Sequence, residues 1–185
     1  WEGGAKMWHD SVFVLEDPKG EWRRVGVLPR PLGYGVSVTW QGRLVMIGGS
    51  DPEQHFAEVY VLRKDGDSID ISSGPSLPTT LANAAGVLVG DVIYVAGGSA
   101  TPQSSEASRG FWKLDLGSGV EKSQWEELPT WPGPERMLPV MAYQNGKVFL
   151  VSGARLLPDG EGGVTREFLT DAFAFSAICS LLPLV

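Results

Sequence analysis

The chain has 185 residues, 43% hydrophobic and 20% charged, with a formal net charge of −7. That length suffices for one sizeable core, and the excess of acid argues against nucleic acid or an anionic membrane surface, both of which want a basic face. No stretch reaches the roughly eighteen apolar residues of a membrane-spanning helix, and one cysteine, Cys179, excludes an internal disulfide framework. Gly 24, Pro 13 and Trp 7 favour many short strands punctuated by turns.

In chain order, residues 9–15 read as a strand, and Trp22 opens another that ends at Leu28-Pro29. Residues 35–49 form two apolar runs about Gln41-Gly42 and end in Gly48-Gly49. Residues 58–62 are a third strand, and Ile71 leads a fourth to Leu77-Pro78. The pattern then repeats. Residues 84–98 turn at Gly90 and end in Gly97-Gly98, residues 111–115 follow, and Trp125 leads to Leu128-Pro129. A third copy, 139–153, turns at Asn145-Gly146, ends in Ser152-Gly153, and is followed by 171–175. The stretch 154–169 between them reads as a long loop, either covering a binding site or without a role.

Each central pair of strands is a hairpin by its turn chemistry, and its apolar character predicts sheets covered on both faces. Four strands per unit, with glycine pairs, tryptophans and Leu-Pro recurring in fixed order at 49- and 51-residue spacings, give an all-β, kelch-type β-propeller. The units are a half blade (1–29), two blades (30–78 and 79–129) and an incomplete blade (130–175). Residues 176–185 break the pattern with an atypical apolar tail, read as a non-native or frame-shifted end, or alternatively as a strand closing the last blade. About three and a half blades are fewer than the roughly four to eight that close a ring. Unpaired blade edges are therefore expected to promote self-association, and a start at Trp1 suggests processing or truncation.

The repeat also provides a register for comparing positions. Arg136 falls where the other copies carry Leu32 and Leu81, so the repeat does not demand its charge. It either meets a ligand or is a solvated partner of Glu135. Tyr34 and Asn83 precede inner strands, where they line a channel mouth or simply pack strand ends. His9 and His55 are isolated, so no metal site is expected, and Cys179 has no catalytic partner. Trp8, Trp22, Trp40, Trp112 and Trp125 read as blade packing, while Trp131, in a proline-rich crossover, stands apart as a sugar-stacking candidate. Gly160-Glu161-Gly162-Gly163 lacks the lysine of a phosphate loop.

Glu2-Gly-Gly-Ala-Lys-Met-Trp-His-Asp-Ser-Val12, Gly20-Glu-Trp22, Leu32-Gly-Tyr-Gly-Val-Ser37 and Ile47-Gly-Gly49 resemble the C-terminal blades of bacterial sialic acid mutarotases (N-acetylneuraminate epimerases). Gly97-Gly-Ser99, Trp112-Lys-Leu-Asp115, Trp125, Pro132-Gly133, Arg136 and Val151-Ser-Gly153 resemble that family's N-terminal blades. The order resembles the cyclically permuted branch, and the resemblance implies that this is part of a ring of roughly six blades. It implies an isomerase that interconverts the anomers of N-acetylneuraminate without cofactor or metal, with a small sugar acid as partner and neither nucleic acid nor membrane. Such a reaction needs a carboxylate and a proton donor at the sugar. The substrate's own carboxylate suits arginine, which points first to Arg136. Glu2 and Lys6 match a Glu-Gly-x-x-Lys stretch of the family, and Asn83 and Tyr34 complete the substrate-binding set. The glutamate implied as base, followed by Pro-Gly-x-Arg, would lie after residue 175. The catalytic residues are thus unknown, and the chain alone is expected to lack complete chemistry. The resemblance points to a bacterial protein, periplasmic or secreted in preference to cytoplasmic. The alternative is a non-catalytic kelch module binding protein or carbohydrate, since the fold hosts many functions.

Overall fold

A computed structural model describes residues 6–177. Glu2, Cys179 and most of the apolar tail lie outside the described residues. The chain is all-β apart from a 3-10 turn at Val120–Lys122.

The fifteen-residue repeats form antiparallel hairpins whose turns use the backbone the sequence anticipates. Gln41-Gly42 and Asn145-Gly146 have positive φ at both central residues, and in the middle copy Gly90 takes it instead. Strands β3 (Val36–Trp40), β4 (Arg43–Ile47), β5 (Val59–Asp65) and β6 (Ser68–Gly74) make one meandering sheet. Strands β7 (Ala82–Val89), β8 (Val92–Ser99), β9 (Phe111–Asp115) and β10 (Trp125–Glu127) make a second. Before them, β1 (Ser11–Val14) pairs with β2 (Arg23–Val27). After them, β11 (Val140–Gln144), β12 (Lys147–Val151) and β15 (Ala172–Ser176) make a three-stranded sheet. The innermost strands β3, β7 and β11 lie side by side, the radial stacking of a partial propeller.

One stretch departs from the sequence reading. Residues 154–169 are not a loop: β13 (Ala154–Pro158) and β14 (Val164–Phe168) pair in register as a separate hairpin inserted between β12 and β15. The tip is closed by Asp159, whose carboxylate accepts from the N–H groups of Glu161 and Gly163. That Asx-type turn makes a hairpin from a glycine-rich segment.

Stacking buries two apolar layers. Val36, Val38, Val45 and Ile47 meet Ile93, Val95 and Leu114 between the first two full sheets. Tyr94, Ala96 and Phe111 meet Val148 and Leu150 between the second and third. Only the central sheet is covered on both faces. In β3, Ser37 and Thr39 are exposed while Val36, Val38 and Trp40 are buried. On the third sheet Val140 is 60% and Val151 37% exposed, whereas their register equivalents Val36 and Ile47 are 6% and 2% exposed. The expectation of two covered faces therefore holds for the middle blade; the first sheet meets the β1–β2 pair along its outer strand β6, and the third sheet lacks a neighbour on one side among the described residues.

The glycine pairs set how closely the sheets approach. The Gly49 N–H donates to the Leu81 carbonyl (2.8 Å), and the Gly98 N–H to that of Arg136 (2.8 Å). A Cβ on Gly48 would collide with the Leu81 carbonyl oxygen, and on Gly97 it would sit 2.5 Å from that of Arg136. Gly42 has a similarly positive φ but open space about it. Gly42→Ala should therefore cost about 1 kcal/mol, from φ alone, and Gly97→Ala about 3 kcal/mol, because the seam must also open. Urea unfolding checks this; equal losses would contradict the seam.

Candidate functional site: the channel mouth

Tyr34, Asn83 and Leu138 occupy the same register position, at the entry to the inner strands. All three have left-handed backbone, with φ of 59°, 59° and 54°. Asparagine tolerates this conformation, but tyrosine and leucine lose about 1–2 kcal/mol each. A hydrogen-bonded chain holds them there. The Asn83 N–H donates to the Tyr34 carbonyl (2.9 Å), and the Leu138 N–H to the Asn83 carbonyl (2.7 Å). The backbone is thus linked blade to blade along one rim of the inner strands. Tyr34 and Leu138 stay half exposed, and strain of this kind clusters at functional sites.

Two adjoining cavities open at this rim, of about 580 and 320 Å³, sharing His55, Asn83, Pro102 and Arg166. The smaller is also bounded by Lys6, Trp8, Tyr34 and Leu138. Lys6 Nζ lies 6.0 Å from the Tyr34 ring centroid. Trp8 Nε1 is buried without a hydrogen-bond partner among the described residues. Lys6, Tyr34 and Asn83, all anticipated from sequence, do come together. Trp8, read as blade packing, lines the mouth instead.

His55, read from sequence as an isolated histidine, is one of the mouth's few buried polar groups. Its Nδ1 lies 2.9 Å from the Ser99 carbonyl of the next blade, which accepts if Nδ1 carries the proton. Nε2 then has no hydrogen-bond partner among the described residues. Burial pushes the imidazole below its ordinary range, and the Ser99 carbonyl and Asp51 oppose that only in part. A neutral ring with one engaged and one unengaged nitrogen can accept a proton. No group of three metal-ligating side chains occurs among the described residues.

Arg136 is held elsewhere. Its side chain is fully buried and lines neither mouth cavity. The guanidinium is bidentate to Asp171 (2.8 and 3.1 Å) and also donates to the Ser152 carbonyl (2.8 Å). Trp131 and Phe173 rings flank it at 5.4 and 5.2 Å. Its partner is therefore Asp171, immediately before β15, and not the adjacent Glu135. Register explains the exchange, since the position is an interior one that Leu81 fills in the preceding blade at 2% exposure. A charge there needs an acid from its own blade. Trp131 is likewise buried, donating to the Pro134 carbonyl, which makes it a packing residue. Trp40 and Trp112 join the core, Trp125 packs against it, and Trp22 is 66% exposed.

Residues 1–71 match the family model described as N-acetylneuraminate epimerase. An N-acetylneuraminate epimerase of Haemophilus influenzae (strain 86-028NP) is 31% identical over 109 residues, 59% of this chain and 26% of the relative. One from strain PittEE is 37% identical over 71 residues, 38% of this chain and 18% of the relative. One from Yersinia pestis (strain Pestoides F) is 46% identical over 48 residues, 26% of this chain and 12% of the relative. Over these residues the chain is similar to the N-acetylneuraminate epimerase family. Its matched parts span about a quarter or less of these epimerases. The family model covers Lys6, Trp8, Tyr34 and His55, four of the residues at the mouth, while Asn83 and Arg166 lie beyond it.

Asp171→Ala should cost about 3 kcal/mol by leaving the Arg136 charge buried and unpaired, whereas Glu135→Gln should stay within about 0.5 kcal/mol. Chemical denaturation separates these outcomes. The His55 imidazole should titrate below the ordinary histidine range in an NMR pH series. Because its folded-state pKa is depressed, its contribution to stability is present above the unfolded-state pKa and is lost as pH falls through the window below it. An inflection at or above 6.5, the unperturbed value, would contradict the burial argument.

Proposed function

We propose that the chain carries the substrate-binding mouth of a sugar-acid mutarotase that interconverts the anomers of N-acetylneuraminate, as part of a permuted ring of roughly six blades. The observation that carries this reading is the convergence of Lys6, Tyr34, His55 and Asn83 on one cavity at the rim of the inner strands, in a chain whose residues 1–71 match the epimerase family model. Mutarotation opens and recloses the pyranose ring. The anomeric hydroxyl loses a proton as the ring oxygen gains one, and closure on the other face reverses both transfers. No redox partner is required, only groups that accept and donate protons beside a sugar held in place.

The mouth offers such groups. The Asn83 amide both donates and accepts, the Tyr34 hydroxyl does the same, and both suit sugar hydroxyls. Neutral His55 is the described residue best suited to accept a proton. The glutamate implied by the family's sequence pattern belongs to blades not represented in residues 1–175. Full turnover is accordingly assigned to the whole ring, and sugar binding to the mouth. Arg136 supports that mouth from beneath: its carbonyl accepts from Gly98, and its side chain ties the blade to Asp171.

Titrating N-acetylneuraminate into the isotopically labelled chain should shift the amide signals of Tyr34, Asn83 and His55. Asn83→Gly keeps the left-handed backbone while removing the amide side chain, and should weaken binding about tenfold, the worth of one or two hydrogen bonds. Shifts confined to residues away from the mouth, or unchanged affinity in Asn83→Gly, would contradict the reading.

A further inference from the structure

The inserted hairpin brings to the mouth a cation that the repeat does not provide. Strand alternation divides its charges between two faces. Arg155 and Glu167 are directly opposite each other and pair on one face, with Arg155 Nε and Nη2 donating to the Glu167 carboxylate at 2.8 and 2.7 Å. Leu156 and Arg166 are opposite each other on the other face. Leu156 is buried with Met137 and Ala154, while β14 is exposed along its length, and both Leu156 and Arg166 line the larger mouth cavity. Arg166 also lines the smaller cavity with Lys6, and neither cation has an ion-pair partner among the described residues. Asp51 is the one carboxylate lining either cavity among the described residues, and its oxygen accepts from the N–H groups of Glu53 and Gln54 at 2.8 Å each.

The hairpin is firmly anchored to the rim. Ala154 and Met137 exchange two backbone hydrogen bonds at 2.8 Å, one residue before Leu138 of the rim chain. At the other end the Leu169 N–H donates to the Gly153 carbonyl (2.9 Å). An unpaired arginine facing a cavity from a pinned strand, beside an unpaired lysine, is a ready receptor for a carboxylate. Its planar fork donates to two oxygens at once, and lysine adds a point charge. In a chain of net charge −7, these cations also oppose the general repulsion of anions.

We propose that Arg166, assisted by Lys6, holds the ligand's carboxylate and makes the mouth select sugar acids over neutral sugars. This rests on the mouth's being the sugar site. The test compares N-acetylneuraminate with its uncharged methyl ester by calorimetry or NMR titration, using the whole chain. Wild type should prefer the acid, and Arg166→Gln should lose about tenfold or more for the acid with little change for the ester. Arg166→Lys should fall between. Arg155→Gln, which leaves Arg166 in place on the same hairpin, should match wild type, and amide-signal dispersion confirms that each variant is folded. Equal affinity of wild type for acid and ester would overturn the proposal while leaving the sugar site standing. So would an Arg166→Gln variant with full acid preference, or an Arg155→Gln variant as impaired as Arg166→Gln. Arg166-dependent binding of a plain sugar-free carboxylate, with no binding of either sugar, would uphold the anion site and overturn the mutarotase reading.

Discussion

The architecture depends on a backbone contact between neighbouring sheets that leaves no room for a Cβ. At two successive seams the carbonyl of the residue three before an inner strand's first aligned position, Leu81 or Arg136, is received by the glycine pair ending the previous blade's second strand. This sets the spacing at which the two apolar layers close. It also fixes the neighbouring rim residues Asn83 and Leu138 in left-handed backbone, so the mouth's geometry follows from the seam. The third copy departs here. Ser152 stands where Gly48 and Gly97 stand, and its hydroxyl donates to the Leu169 carbonyl (2.9 Å). A blade stacked on the third sheet in the register of the other two seams would bring its carbonyl onto the Ser152 Cβ, so Ser152 does not suit the close approach made at Gly48 and Gly97.

The inserted hairpin begins at that same departure. Between β12 and β15 the chain leaves the sheet, forms β13 and β14, and returns. Ser152 and Gly153 receive the returning segment through Leu169. Asp171 follows at once and meets Arg136. Loss of a glycine, a charged residue at an interior position and an added hairpin thus form one connected change in the third blade. The buried Arg136 Nε, which has no partner among the described residues, marks how incompletely that interior position suits a guanidinium.

Much of this was legible in sequence because it is written in backbone requirements. Gly42, Gly90 and Gly146 marked hairpins, and Gly48-Gly49 and Gly97-Gly98 marked close approach. The register also brought Tyr34 and Asn83 together. Side-chain direction was less accessible. Arg136 stands out in sequence as a charge at a leucine position, but sequence alone does not show that Asp171, thirty-five residues later, neutralises it inside the blade. Arg166 was hidden within a segment read as loop, because its strand alternation is short and its turn is held by an aspartate rather than by a two-residue glycine signal. His55 looked isolated because its partner is a backbone carbonyl of the next blade.

A net-acidic chain therefore presents a mouth lined by two cations without ion-pair partners among the described residues, a neutral histidine and sugar-compatible amide and hydroxyl groups. The most direct measurement is a crystal structure of the chain grown with N-acetylneuraminate. The account predicts the sugar at the rim of the inner strands, with its carboxylate on Arg166 and its hydroxyls toward Asn83 and Tyr34. A sugar bound on a blade flank, or in the mouth with its carboxylate turned away from Arg166, would contradict it.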